Sequence, residues 1–119
     1  MLMPDLLEDG VMLFNSGRYY EAHEVWEDLW RLTSGPLKVC YQGMIQAAVG
    51  LYHLSNLNEA GAASQLQKSI RNLEAGPAEV RDLDIAGLVQ QLHGVLLEMH
   101  SGVCLTPSIG RKKGTGLSS

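Results

Sequence analysis

The chain has 119 residues, of which 45% are hydrophobic and 18% are charged, and its formal net charge is -4. This length and composition predict one globular domain with one hydrophobic core, and they argue against a disordered chain or two domains of ordinary size. Nucleic acid is an unexpected partner, because a nucleic-acid-binding surface is normally basic. No apolar run is long enough to cross a membrane.

The cellular compartment is predicted from the first residues and the cysteines. The first ten residues contain three acids and no Lys or Arg, so they lack the basic segment that opens a secretory signal. The spacing of Cys40 and Cys104 favours neither a disulfide framework nor a CxxC metal site. We therefore expect a cytoplasmic protein in a reducing environment.

Two helices are predicted in the first third of the chain. The first begins near Pro4 and is closed by the Asn-Ser-Gly stretch at residues 15–17. The second runs from Tyr19 to about Thr33, with apolar residues at helical spacing, and the Gly-Pro pair at residues 35–36 stops it.

Three further helices complete the predicted fold. The segment from Leu37 to about Ser55 is apolar almost all round, which is typical of a helix surrounded by others. A covering helix is predicted over about 58–73, and a fifth helix over 85–99 after a cap at Asp82 or Asp84. No segment alternates with period two for long enough to predict a strand. The predicted fold class is all-α, a compact bundle of about five helices, mostly antiparallel neighbours, around a buried central helix.

The predicted domain organisation is a single helical domain over residues 1–106 and a flexible C-terminal tail over residues 107–119. The tail is rich in Gly and Ser and contains the basic triplet of Arg111, Lys112 and Lys113. This triplet is interpreted as a solubilising end, with contact to RNA or an acidic surface as the alternative. The sequence leaves open whether the protein forms a homodimer. The fifth helix has a broad apolar stripe, and a second copy could cover the part that a small domain leaves exposed.

One carboxylate of the second helix lies on an unexpected side. Projected at about 100° per residue, Glu27 and His23 fall on the arc that should pack inward, between Trp30 and Tyr20. The remaining acids of this helix, including Glu24, lie on the opposite arc. An inward carboxylate needs a partner, so Glu27 predicts either a buried polar cluster or a binding site.

The central helix has a matching polar stripe. Gln42, Gln46 and His53 lie within roughly 40° of one another on its surface. Each buried polar group without a partner costs about 1–3 kcal/mol, so we expect this stripe to face the His23 and Glu27 stripe.

The converging polar residues allow two interpretations. In one, His23 and Glu27 hydrogen-bond within a structural cluster. In the other, His23, Glu27 and His53 bind a divalent metal such as Zn²⁺ or Mn²⁺, with water in an open position. Supporting or pocket-lining positions in this second interpretation are Tyr20, Glu24, Trp30, Gln42 and Gln46.

The stretches "FNSGRYYEAHEVWEDLWR" and "YQGMIQAAVGLYH" closely resemble the family catalogued as domain of unknown function 309, small helical proteins with an HxxxExxW or HxxxExxY motif. The motif residues here are His23, Glu27 and Trp30, and the resemblance covers about Gly10 to Leu73. It implies an all-α fold and suggests that the His and Glu of the motif bind metal. It implies no particular reaction.

Two functions of different class follow as hypotheses. The first is a divalent-metal-binding protein that acts as a metal-dependent hydrolase, whose catalytic residues and small-molecule substrate the sequence does not specify. The alternative is a non-enzymatic helical interaction module with tetratricopeptide-like hairpin packing, in which the polar cluster is structural and the partner is a protein. Enzymatic activity therefore stays open.

Overall fold

The computed structural model describes residues 5–102 and 105–112, which form five α-helices and one short β-hairpin. The hairpin consists of β1 (Glu79–Val80) and β2 (Leu83–Asp84). The helices are α1 (Leu6–Asn15), α2 (Tyr19–Arg31), α3 (Pro36–Ser55), α4 (Glu59–Glu74) and α5 (Ile85–Glu98), which continues into a 3-10 turn (Met99–Ser101). The predicted all-α bundle of about five helices is confirmed, and the hairpin was not predicted.

Polar caps explain where several helices begin. The Asp5 carboxylate accepts a hydrogen bond from the backbone N–H of Glu8 at the start of α1, and the Asn58 side chain caps α4 in the same way. Of the two candidate caps for α5, Asp84 is the one that acts, because it accepts from the N–H of Gly87 at 2.9 Å.

α3 has the most buried residues of any helix in the described ranges, as its all-round apolar sequence predicts. Small residues let α4 approach it closely. A Cβ atom built on Gly43 would lie 2.8 Å from Cγ of Leu73, and one on Gly50 would lie 2.7 Å from Cδ2 of Leu66. The buried hydroxyl of Ser69 donates to the Gly43 carbonyl oxygen at 2.6 Å, which joins the two helices at this contact.

α2 is held to α1 by its first tryptophan. Trp26 is fully buried, and its indole N–H donates to the backbone carbonyl of Leu7 at 3.2 Å. Gly10 leaves the room for this ring, since a Cβ there would overlap the indole. Trp26 is therefore part of the hydrophobic core.

The C-terminal residues differ from the prediction. In place of a free tail from residue 107, residues 107–112 pack against the domain, with Pro107 and Ile109 buried. Backbone hydrogen bonds from Asp84 to Gly110 and from Lys112 to Asp82 hold the segment. The folded domain thus extends past the predicted boundary at residue 106. The predicted flexible tail over residues 113–119 lies outside the described residues.

Within the described residues, no helix is both long and apolar enough to cross a bilayer. The inward stripe of α5 is largely covered by the domain itself, with the side chains of Ile85, Leu88, Val89, Leu92 and Val95 buried. Cytoplasmic location and a homodimer both stay predictions.

Candidate functional site

The edge shared by α2 and α3 carries the residues that were predicted for a site. At one end of this edge lies an open cavity of about 180 Å³, the His–Tyr cavity. Its lining comes from the start of α2 and the second half of α3, so the two helices run antiparallel here. The lining residues are Tyr20, His23, Val49, Tyr52 and His53.

The other end of the edge has a second cavity, of about 350 Å³, between the end of α2 and the start of α3. Trp30 and Gln42 line it together, and Nζ of Lys38 lies 4.1 Å from the Trp30 ring centroid, a cation–π distance. Trp30 is therefore half-buried at the edge, in contrast to Trp26 in the core.

Glu27 lies on α2 between the positions that line the two cavities. Its side chain is 40% exposed, so the prediction of an inward carboxylate is wrong. Its two oxygens face different partners, since Oε2 lies 3.2 Å from Nε2 of His23 and Oε1 lies 3.5 Å from the Arg31 guanidinium. The physical reason is that Ala22 and Trp26 take the buried face of α2, which leaves its flank partly in solvent.

His23 is held on both sides of its ring. Besides the contact of Nε2 with Glu27, Nδ1 lies 3.2 Å from the backbone carbonyl oxygen of Tyr20. Both neighbours are acceptors, so the protonated ring donates to both and the neutral ring to one. With its side chain only 19% exposed, His23 is a fixed wall of the His–Tyr cavity.

The two polar stripes meet only in part. His53 shares the His–Tyr cavity with His23, and its Nδ1 lies 3.4 Å from the Asn58 side-chain amide. Gln46, by contrast, accepts a hydrogen bond from the Asn72 amide at 2.7 Å and is satisfied by α4 instead of α2. Glu24 is exposed, as predicted. The angular position of Gln46 around α3 did not show that its hydrogen-bond partner would come from α4.

The predicted metal ligands do not fit a three-ligand centre in this arrangement. In the part of the chain that the structure describes, no three His, Cys, Asp or Glu side chains are grouped so as to hold one ion. Catalytic zinc normally has three protein ligands and an open position. Here Nε2 of His23 and both oxygens of Glu27 already face protein partners.

The Cys40 thiol is disfavoured as a nucleophile. Cys40 is fully buried, and burial raises its pKa to about 11 by penalising the thiolate. Among the described residues, every buried side-chain nitrogen and oxygen has a hydrogen-bond partner. At the α2–α3 edge, His23, Glu27 and Gln46 have protein partners, and the two cavities are its open features.

Tyr52 was missed as a site residue. Its ring centroid lies 5.3 Å from that of Tyr20, and together the two rings wall the His–Tyr cavity. A signal was present in the sequence, because Val49, Tyr52 and His53 follow the spacing i, i+3, i+4 that places residues on one helix face. The prediction followed the polar residues of α3 and passed over the aromatic one beside them.

The fold and the α2–α3 edge define a small all-α domain with an open aromatic cavity. Residues 7–65 match the family described as Domain of unknown function (DUF309), and the chain belongs to this family. The matched residues run from α1 into α4 and include all five that line the His–Tyr cavity.

Two curated relatives are themselves uncharacterised. The chain is 36% identical over 104 residues to "Uncharacterized protein YpuF" of Bacillus subtilis (strain 168), which covers 86% of this chain and 56% of that protein. It is 28% identical over 93 residues to an "Uncharacterized protein" of Aquifex aeolicus (strain VF5), which covers 77% of this chain and 28% of that protein. The chain thus spans about half and about a quarter of the lengths of these two relatives.

Proposed function

We propose that this domain is a protein-interaction module that binds one apolar or aromatic side chain of a partner protein in the His–Tyr cavity. The observation that carries the proposal is the exposure of the two rings that wall it, 51% for Tyr20 and 38% for Tyr52. Aromatic residues around an open pocket are typical of the anchor points of protein interfaces.

The size of the cavity favours a single side chain as occupant. At about 180 Å³ it is smaller than the roughly 300–1,000 Å³ of pockets that hold a drug-sized molecule. Val49 adds an aliphatic side chain to the cavity lining. An anchor side chain that enters here would lose its contact with water, which is the main favourable term for such a group.

The pair of His23 and Glu27 supports the cavity wall. Because both ring nitrogens of His23 face protein oxygens, the imidazole plane is fixed before any partner arrives. A preorganised wall reduces the entropy that binding has to offset. The Glu27 carboxylate beside His23 adds a charged, partly exposed group next to this wall, as in the polar border of an interface.

The lengths of the relatives are consistent with a module. In the B. subtilis and A. aeolicus proteins, the region similar to this chain is one part of a longer polypeptide. A small domain that contributes binding, with other functions carried elsewhere in the polypeptide, fits that organisation.

Divalent-metal binding, with hydrolase activity, is the second candidate. It is favoured by one observation, which is that the imidazoles of His23 and His53 line the same cavity. It requires Glu27 to release His23 or Arg31 before it could act as a third ligand. The interaction module needs no such rearrangement.

One NMR titration separates the two candidates. Isotope-labelled protein is titrated with N-acetyl-phenylalanine amide, then with N-acetyl-leucine amide, and separately with Zn²⁺ and Mn²⁺. The interaction module predicts saturable shifts at Val49, Tyr20 and Tyr52 with the amides. Stoichiometric metal binding that is lost in His23→Ala, without any response to the amides, would favour the metal site. An absence of shifts at this cavity with every probe would contradict both.

A further inference from the structure

The segment of residues 105–112, called here the C-terminal strap, lies in a groove between α1, the β-hairpin and α5. Its side chains alternate as those of a β-strand do, since Pro107 and Ile109 are buried while Ser108 and Gly110 are exposed. The next inward position, Arg111, reaches acidic side chains. The strap thus presents every second residue to the groove.

Two side-chain amides hold the backbone of the strap. The Asn15 amide donates to the Ile109 carbonyl at 3.1 Å, and its oxygen accepts from the Ile109 N–H at 2.8 Å. The Gln91 amide makes the same pair of contacts with Ser108, at 2.8 and 2.9 Å. Each amide therefore bonds one residue of the strap as the backbone of a neighbouring strand would.

The hairpin completes the groove. The Asp84 N–H donates to the Gly110 carbonyl at 2.8 Å, and the Lys112 N–H donates to the Asp82 carbonyl at 2.7 Å. Leu83 and Arg111 form an antiparallel bridge, so the strap lies along β2 as an added strand. The Arg111 guanidinium also pairs with the carboxylates of Glu8 and Asp82, the latter at 2.7 Å.

We propose that this groove is a peptide-recognition site for extended segments with the pattern Pro-x-Ile-x-Arg, and that the C-terminal strap is its built-in occupant. A partner segment of this chemistry would bind by strand addition, in which main-chain hydrogen bonds supply affinity and pockets for alternate side chains supply specificity. The acidic pair of Glu8 and Asp82 selects the basic residue by charge complementarity. This site uses different residues from the His–Tyr cavity and does not depend on the function proposed for that cavity.

The contacts of the C-terminal strap are weak enough for another peptide segment to replace it in the groove. Only Pro107 and Ile109 are buried, and the remaining contacts are hydrogen bonds and ion pairs of mostly exposed groups. Exposed ion pairs contribute about 0–1 kcal/mol each. The tether keeps the strap at a high effective concentration, so the attached segment competes strongly with any free peptide.

The test uses the full chain with a weakened strap. Ile109→Asp removes the aliphatic side chain and leaves every groove residue unchanged. A fluorescent peptide with the strap sequence LTPSIGRK should bind this variant saturably in fluorescence anisotropy. It should bind the wild-type chain at least about 10-fold more weakly, because the tethered strap already occupies the groove. A peptide with Asp in place of its Ile should not bind.

Matched variants locate the binding. Gln91→Ala in the Ile109→Asp background should weaken peptide binding at least about 5-fold, whereas Gln90→Ala, at the neighbouring exposed position of α5, should preserve it. If circular dichroism shows Ile109→Asp to be unfolded, the milder Ile109→Ala takes its place, because it removes most of the buried side chain of the strap without adding a charge. Failure of the folded variants to bind the peptide, or a peptide affinity that Gln91→Ala leaves unchanged, would overturn the proposal. So would a wild-type dimer that exchanges straps between two copies.

Discussion

Nε2 of His23 lies 3.2 Å from Oε2 of Glu27, one helical turn farther along α2, and this pair stands at the border between the core and solvent. The position explains why an acid lies on the tryptophan side of the helix. Trp26 occupies the core, and the next residue, Glu27, emerges beside it. The carboxylate needs no buried partner, because solvent, His23 and Arg31 compensate its charge.

Glu27→Gln should therefore be mild. It weakens two exposed or half-exposed pairs, so the expected loss in the free energy of unfolding is below about 1 kcal/mol. Urea denaturation gives the value, with Glu24→Gln as a matched control that should change stability by less than about 0.5 kcal/mol. A loss above about 2 kcal/mol for Glu27→Gln alone would place the carboxylate in the core after all.

Two glycine substitutions should act in opposite directions. Gly43→Ala places a Cβ 2.8 Å from Cγ of Leu73 and 3.1 Å from its backbone nitrogen, which overpacks the α3–α4 contact by about 1–3 kcal/mol. Gly94→Ala meets nothing closer than Leu105 at 3.8 Å, and within α5 it should stabilise by about 0.5–1 kcal/mol. Thermal unfolding of both variants tests the close approach of α3 and α4. Equal effects would contradict it.

Ser69→Ala should destabilise the same contact. Removal of the hydroxyl takes one hydrogen bond from the buried Gly43 carbonyl, which keeps its helical donor within α3, so the expected cost is about 0.5–1.5 kcal/mol. Ser64→Ala, at an exposed position of α4, is the control and should be nearly neutral. Chemical denaturation curves compare the two, and a neutral Ser69→Ala would show that this hydrogen bond contributes little.

The free energy of unfolding should fall at high pH, because the unfolded state ionises Cys40 more easily than the folded state does. Its folded-state pKa of about 11 is above the ordinary thiol value of about 8.5. The stabilisation is thus fully present below about pH 8.5 and is lost as the pH rises towards 11. The loss from this group is about 1.4 kcal/mol per pH unit within that window. Urea unfolding at pH 8 and pH 10 measures it. Cys40→Ala should show a smaller fall, and an identical fall would contradict the assignment.

The helices were predictable because their information is local. The nearly all-round apolarity of the Leu37–Ser55 segment indicated its central position. The hairpin was not predictable in this way. Its strands have two residues each, and β2 is paired with Arg111, far along the chain.

The candidate site was predictable in its location but not in its character. Helical phase placed His23, Glu27 and Trp30 on one side of α2, and all three lie along the α2–α3 edge. The angular position of a residue around a helix does not show how far a neighbouring helix covers that side. Glu27 was therefore expected to be buried. The C-terminal strap was missed because its alternation of Pro107, Ile109 and Arg111 is too short to predict a strand.

Filling the His–Tyr cavity is the most direct test of the proposed function. Val49→Phe places an aromatic ring in a cavity lined by Tyr20 and Tyr52, whereas Val39→Phe adds the same ring at an exposed position of α3 outside it. The measurement is the dissociation constant of N-acetyl-phenylalanine amide for the wild type and both variants, by NMR titration. The proposed function predicts saturable binding to the wild type and to Val39→Phe, and a loss of at least about 10-fold in Val49→Phe, which is about 1.4 kcal/mol of binding free energy. Unchanged binding in a folded Val49→Phe variant would contradict it.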